Sequence, residues 1–489
     1  MAGSRRAPAG TERPRAVVLI DGEHYPSVVA DALRELASLY DIRAAAFMGG
    51  VEKLRERGDE GVYGVPVVSG PDPVGTLCTA IDRFRPEVVV DASDEPVLTY
   101  WDRFRLISHA LARSVRYDGP DFHFSPPQLE RLASSPSLSI IGTGKRVGKT
   151  AISGYVARLL RTARGSGPGA GIVIVPMGRG GPSRPEVVDG VESKIGVLEL
   201  LGWSRAGRHA SSDHFEDAVL SRVATVGCRR CGGGMAGGTL TSNVAEGALV
   251  ANGLRPAFTV FEGSGAAIPP VATDARLLVA GAGQEPEYLS GYLGTYRLLI
   301  SDAVILTMAE PPMAGEERLQ QMLDIIHEER PELPVIPVVF RPRPMERVLG
   351  RRVALFCTAP AALRATLMEH LARVHGCEVV LFSNALADRA ALAVDVEQLG
   401  SAGVEVVLTE IKAAAIDVVT EAADRLGLPV VFVDNVPMEV APARSGDLDA
   451  LCLRVVGVAE RRFAASVSAS APGSPLRGSG DPERAAGTE

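Results

Sequence analysis

An α/β fold built from successive parallel-sheet segments is predicted by three observations. Short apolar runs of strand length recur along the 489 residues and alternate with amphipathic helical patterns. Most of these runs end in polar or glycine residues, which lie at the carboxyl edge where open α/β sheets bind their ligands. One of them, Ser137-Leu-Ser-Ile-Ile-Gly142, runs straight into a glycine-rich loop that closes on Gly148-Lys149-Thr150. A chain of this length supports two or three domains, each able to bury its own core.

The first globular segment opens with Arg15-Ala-Val-Val-Leu-Ile20, a buried-strand signal, followed by Asp21-Gly-Glu23-His24-Tyr-Pro26. A helix over 28–40 and strands over 44–48, 64–68 and 87–90, the last ending in Asp91, continue the alternation. They predict a separate Rossmann-like α/β domain over 14–130. Pro126, Pro127 and Ser134-Ser-Pro136 then break the pattern before a second domain over 131–345, with strands over 172–175, 257–261, 303–307 and 335–340. A C-terminal α/β run over 346–458 has strands over 353–357, 378–382, 404–408 and 429–433, which end in Thr358, Asn384, Thr409-Glu410 and Asp434-Asn435. Pattern alone leaves open whether this run is its own domain or extends the preceding sheet. Residues 1–13 and 459–489 are expected as flexible tails, the latter because Ser, Gly, Pro and charge dominate from about Ser466.

The loop before Thr150 has the chemistry of a phosphate cradle. Glycines let backbone N–H groups turn onto phosphates, Lys149 reaches the β- and γ-oxygens, and the Thr150 hydroxyl sits at a helix N-terminus where Mg²⁺ is held. Apolar residues at Ile152, Val156, Leu159, Leu160 and Ala163 give the following helix, and the glycines of 165–171 end it before the next strand. This strand–loop–helix–strand unit predicts a P-loop NTPase-type parallel sheet. ATP and Mg²⁺ are the expected cofactors, bound by Gly142, Thr143, Gly144, Lys145, Arg146, Val147, Gly148, Lys149 and Thr150. Lys149 is expected to face solvent and to act on the transferred phosphoryl group. The loop departs from G-x-x-x-x-G-K-[ST], because Thr143 stands where the first glycine belongs and Gly142 precedes it by one.

A triphosphate also needs an acid for its metal. Glu262 ends the strand before Gly263-Ser-Gly265, where a carboxylate meets close-approach backbone, and is a candidate metal ligand beside Thr150; a turn-forming role is the alternative. In His209-Ala-Ser-Ser-Asp213-His-Phe-Glu216-Asp217, Asp213 is the candidate second metal-facing acid, against a solvated helix start capped by Ser211 or Ser212. Arg179, framed by glycines just past a strand end, is a candidate catalytic anion clamp, with Arg184 and Lys194 downstream. Cys228-Arg-Arg-Cys231 is one C-x-x-C without a second ligand pair, so its glycine-rich continuation reads as a substrate-approaching loop, with Arg229 and Arg230 available for anions.

A net charge of −8 provides no overall field for nucleic acid or an anionic membrane surface. Six scattered cysteines, the lack of an apolar leader and the lack of any bilayer-length apolar run lead to the expectation of a cytoplasmic protein. The expected partner is a small anionic substrate, and a homodimer is expected.

Gly142-Thr-Gly-Lys-Arg-Val-Gly-Lys-Thr150 resembles the G-T-x-x-x-V-G-K-T loop of dethiobiotin synthetase and its relatives. Phe261-Glu262-Gly-Ser-Gly265 resembles their V-E-G-x-G strand end, and Ser212-Asp213 resembles their second magnesium acid. Gly144 stands where related dimeric ATPases carry a partner-activating lysine. Over roughly 16–437 the chain is more closely similar to the cyclic 2,3-diphosphoglycerate synthetase family. That likeness rests on the P-loop, on Leu19-Ile-Asp-Gly-Glu-His-Tyr-Pro26, Gly227-Cys-Arg-Arg-Cys-Gly-Gly-Gly-Met-Ala-Gly237, Thr409-Glu-Ile-Lys412-Ala-Ala-Ala and Val433-Asp-Asn-Val-Pro437. It implies ATP-dependent closure of 2,3-diphosphoglycerate into its cyclic phosphoanhydride, with release of ADP and phosphate. The N-terminal domain is assigned to substrate or regulatory binding through Glu23 and His24, with a turn-holding histidine as the alternative. A dethiobiotin-synthetase-like ligase or kinase acting on another anion and a nucleotide-binding switch remain the other readings.

Overall fold

The computed structural model describes residues 12–50, 52, 60–165, 171–191, 195–207 and 213–470. The N-terminal sheet has six strands in the order Val67–Val68, Asp41–Phe47, Arg15–Ile20, Val88–Asp91, Arg116–Asp118 and His123–Phe124, all parallel except the last pairing. It is a separate sheet but not an isolated core. Leu77, Ile81, Leu106 and Leu111 on its helices Pro73–Phe84 and Tyr100–Ala112 share one apolar cluster with Leu278, Tyr296 and Met322 of the P-loop domain.

Among the described residues the second sheet has thirteen strands. The P-loop strand Ser137–Gly142 lies at its centre, between Phe258–Glu262 and Ala275–Gly281. Ile172–Gly178 and Ala224–Cys231 lie beyond the first neighbour, and Ala303–Thr307 and Val335–Pro344 beyond the second. The C-terminal run continues this sheet instead of forming a new one. Val430–Glu439 pairs antiparallel with Val335–Pro344 over seven residue pairs and brings in Val406–Thr409, Arg352–Phe356 and Glu378–Ser383. One long antiparallel seam thus joins the C-terminal run to the P-loop sheet.

Two strands of this sheet, Ala224–Cys231 next to one edge and Ala275–Gly281 beside the P-loop strand, escape the sequence reading. Ala224–Cys231 has only a short apolar run and carries Gly227, which is needed because a Cβ there would lie 2.5 Å from the His214 ring. Ala275–Gly281 is rich in Ala and Leu and has no strand-specific alternation. The last helix, Asp447–Ser470, runs into the stretch expected as a tail. Leu448, Leu451, Cys452, Val455 and Ala459 pack it against Ile140, Val260 and Leu277 beneath the P-loop sheet, so apolar burial anchors the helix as far as Ala459 and its last turns beyond are exposed or half-buried. Residues 1–11 and 471–489 lie outside the described residues.

Candidate active site

Gly148 closes the loop at φ 91°, and a Cβ there would lie 2.3 Å from the Phe340 ring, so only glycine fits. Helix Lys149–Arg164 starts immediately and buries Ile152, Val156, Ala157 and Leu160 on one face. The displaced glycine of the motif also has a use. A Cβ on Gly142 would lie 2.9 Å from Lys149 Cδ, so Gly142 makes room for the lysine stem.

Lys149 does not face solvent as expected. It is 7 % exposed, and its ammonium donates to the Gly144 carbonyl at 2.8 Å, folded back over the loop. Burial pulls its pKa down to about 8, opposed by Glu262 and Asp213 and reinforced by Arg179 and Arg230. The loop is braced from the next strands: Thr307 Oγ1 donates to the Val147 carbonyl at 2.9 Å, and Thr143 Oγ1 to Gln284 Oε1 at 2.5 Å.

Thr150 and Glu262 meet as the metal reading requires, with the hydroxyl donating to Glu262 Oε1 at 2.6 Å. Helix Asp213–Ser221 brings further acids to the same place. Asp213 Oδ2 would be 3.4 Å from a Cβ on Gly178, which puts it at the carboxyl end of the neighbouring strand. Ser211 and Ser212, the alternative caps, lie outside the described residues. Glu216 and Asp217, which the sequence reading did not select, complete the cluster. The legible signal was the i, i+4 spacing of Asp213 and Asp217, which puts both on one helix face.

Glu262 and Asp217 are 3 % and 1 % exposed; Glu262 Oε2 and both Asp217 carboxylate oxygens are buried without a hydrogen-bond donor. Burial pushes the Glu262 pKa up to about 8, with Asp213 and Glu216 adding to the rise while Thr150 and Lys149 oppose it. Burial and then Glu262 likewise hold the Asp217 carboxyl well above its usual range. Buried carboxyl oxygens without donors, next to a threonine hydroxyl and nothing softer than oxygen, fit a hard cation such as Mg²⁺. Among the described residues no three His, Cys, Asp or Glu side chains form a complete metal site. A P-loop magnesium needs none, since one or two carboxylates and a hydroxyl suffice when phosphates and water supply the rest.

The pH dependence has a defined sign. Glu262 binds a proton in the native state between pH about 4.5 and 8, where the unfolded chain has lost it, so its contribution to stability falls as pH rises through that window. The Lys149 shift acts only above about 8. The nucleotide-free protein should therefore melt at a lower temperature at pH 7.5 than at pH 5.5, and Mg²⁺ with ADP should raise the melting point more at the higher pH, because metal binding expels that proton. Melting curves at the two values, with and without Mg²⁺ and ADP, check both signs.

Arg179 lies across from these acids, and the structure pairs it with Arg230. A Cβ on Gly265 would be 2.6 Å from Arg179 Nη2 and 3.3 Å from Arg230 Nη2, so two guanidiniums flank the turn after Glu262. Arg230 is anchored by donating to the Ser264 carbonyl at 2.7 Å and the Gly232 carbonyl at 2.5 Å. Arg184 is exposed and does not line the cleft, Arg229 is exposed, and Lys194 lies outside the described residues. Cys228 is buried and Cys231 exposed at the strand end.

One cleft of about 850 Å³ is lined by the phosphate loop, Arg179, Asp213, Glu216 and Glu262, and also by Thr358, Asn384, Glu410, Lys412 and Asn435 of the C-terminal run; Asp217 and Arg230 are not in its lining. The polar strand ends of that run therefore face the phosphate loop. Glu410 is fully engaged, accepting from the Thr358 hydroxyl at 2.7 Å, the Thr358 N–H at 3.1 Å and Asn435 Nδ2 at 2.9 Å. Among the described residues none from the N-terminal domain lines this cleft. Asp21 Oδ1 instead accepts the backbone N–H groups of Glu23 and His24 and lies 2.8 Å from His24 Nδ1, the geometry of a turn held by a histidine.

Among the described residues no helix is long and apolar enough to cross a membrane. The sequence matches three domains of one family, described as the N-terminal domain (residues 15–125), the P-loop domain (137–339) and the C-terminal domain (344–436) of cyclic 2,3-diphosphoglycerate synthetase. A cyclic 2,3-diphosphoglycerate synthetase of Rubrobacter xylanophilus is 52 % identical over 91 % of this chain and 98 % of its own length. That of Methanothermobacter thermautotrophicus is 42 % identical over 92 % and 96 %, and that of Methanothermus fervidus 41 % identical over 92 % and 98 %. With all three domains matched in order around a nucleotide-binding P-loop, the chain belongs to the cyclic 2,3-diphosphoglycerate synthetase family.

Proposed function

We propose that the protein closes 2,3-diphosphoglycerate into its cyclic phosphoanhydride at the expense of ATP, releasing ADP and phosphate. The observation that carries this reading is the convergence, in a chain of this family, of a phosphate loop, an oxygen-only acid cluster and the Arg179 guanidinium on one cleft, with Arg230 beside Arg179 at the turn after Glu262. Each of these parts handles phosphate, and no general base is needed to join two phosphates.

In this reading the γ-phosphoryl group passes from ATP to one phosphate of the substrate, and ADP leaves. An oxygen of the second phosphate then attacks the inner phosphorus of the new pyrophosphate, forming the ring P–O–P bond as the outer phosphate departs. Lys149 exchanges its Gly144 carbonyl for the β- and γ-oxygens and follows the moving charge. Arg179 and Arg230 hold the substrate phosphates together against their mutual repulsion. Thr150, Glu262 and Asp213 would hold a magnesium ion, which would supply charge neutralisation to the phosphates. The chain's own work is positioning, which makes phosphoryl transfer from ATP effectively unimolecular and holds the two substrate phosphates in place for ring closure.

ADP release should accordingly depend on added 2,3-diphosphoglycerate, and turnover that ignores the acceptor would count against the reading. The arginine assignment is tested separately. Arg179→Met should raise the apparent KM for diphosphoglycerate by roughly ten- to a hundredfold, since a charge-assisted contact is worth about 1.5–3 kcal/mol, and leave that for ATP within about twofold. Equal weakening of both substrates, or of neither, would remove Arg179 from the acceptor site.

A further inference from the structure

The motif Thr409-Glu-Ile-Lys412 has no part in the chemistry above, yet it lies against the acid helix. Lys412 Nζ donates to Glu216 Oε2 at 2.5 Å, an ion pair between residues 196 apart in the chain. Glu216 is on the same helix as Asp213 and Asp217, and that helix packs in one apolar cluster with C-terminal residues: Phe215, Ala218 and Val219 meet Ile411, Ile416 and Phe432. A second link runs parallel to it, with Arg158 of the P-loop helix 3.1 Å from Asp434.

We infer that Lys412 is a positioning residue through which the C-terminal segment completes the metal side of the site: by pairing with Glu216 it fixes helix Asp213–Ser221 so that Asp213 and Asp217 face Thr150 and Glu262. This rests on the reading of the cleft as a metal–nucleotide site. The charged groups around Lys412 are all acids, namely Glu216, Glu410 and Asp213. Glu410 already has three donors from Thr358 and Asn435, so Glu216 is the carboxylate that needs the lysine. Burial alone would pull the Lys412 pKa down; Glu216 and then Glu410 outweigh it and hold the ammonium above its usual range, so it stays charged at neutral pH. Without it Glu216, which burial pushes up to about 7 even with the lysine in place, would find relief only by taking up a proton or by moving the helix, and well above that pH movement is the route left.

The experiment is calorimetric binding of ADP to the full chain, with and without Mg²⁺, in wild type, Lys412→Met, Lys412→Arg and the double variant Lys412→Met/Glu216→Gln. The Mg²⁺-dependent gain in ADP affinity should fall by roughly tenfold or more in Lys412→Met, the cost usual when a group that orients a metal ligand is removed. ADP binding without Mg²⁺ should be unchanged, because the loop is intact. Lys412→Arg should keep most of the gain, and the double variant should recover much of it, because no unpaired carboxylate remains. An unchanged or larger gain in Lys412→Met would overturn the inference, as would a double variant that is additively worse. A wild-type protein whose ADP affinity ignores Mg²⁺ would instead sink the metal–nucleotide reading on which it stands.

Discussion

Lys149→Ala should reduce ATP turnover by roughly a hundred- to a thousandfold, the loss usual when a preorganised charge aimed at a developing oxyanion is removed. The lysine is already in place, folded over the loop to the Gly144 carbonyl, so a phosphate oxygen need only displace a neutral acceptor. Its burial gives the substitution a second consequence. Alanine leaves Glu262 without the cation that opposes its repulsion by Asp213, and the Glu262 carboxyl should hold its proton to higher pH. Lys149→Met keeps the stem that Gly142 accommodates and separates packing from charge. Initial rates and melting curves for the two variants check this: turnover retained in a folded Lys149→Met protein would mean that the loop is not the catalytic nucleotide site.

Glu262→Gln is expected to raise the Mg²⁺ concentration for half-maximal turnover by roughly tenfold or more and to lower the maximal rate, since it removes the charge but little volume from the proposed metal ligand. The same change should not destabilise the nucleotide-free fold. Glu262 has its pKa pushed up to about 8, so near neutral pH the native protein carries mostly its neutral form, which glutamine imitates. At pH 8.5, where the carboxyl must ionise beside Asp217, the variant should melt no lower than wild type. A magnesium titration superimposable on wild type would return Glu262 to a turn-forming role.

These contrasts show what the sequence could and could not carry. The P-loop, Glu262 and Asp213 were legible because their chemistry is local: a strand end, a glycine turn and a helix start each fix one side chain. Arg230 was seen only as an available cation, because its place beside Arg179 depends on Ala224–Cys231 lying next to Ile172–Gly178, a pairing that long-range packing decides. Asp217 was hidden because an acid on a helix ordinarily faces water, and only the sheet beneath reveals that it is 1 % exposed. The polar strand ends Thr358, Asn384, Glu410 and Asn435 were read as a ligand edge, but that they share a cleft with the phosphate loop follows from the antiparallel seam between Val335–Pro344 and Val430–Glu439. Lys149 was misplaced for the opposite reason: a loop lysine suggests solvent, and Gly142 creates the space that buries it.

The most direct test of the central claim is a phosphorus NMR spectrum of the purified protein turning over ATP, Mg²⁺ and 2,3-diphosphoglycerate. The account predicts that the two phosphomonoester resonances of the substrate are replaced by phosphoanhydride resonances of a cyclic product, in step with the appearance of ADP and inorganic phosphate. ADP and phosphate accumulating while the diphosphoglycerate signals stay unchanged would contradict it.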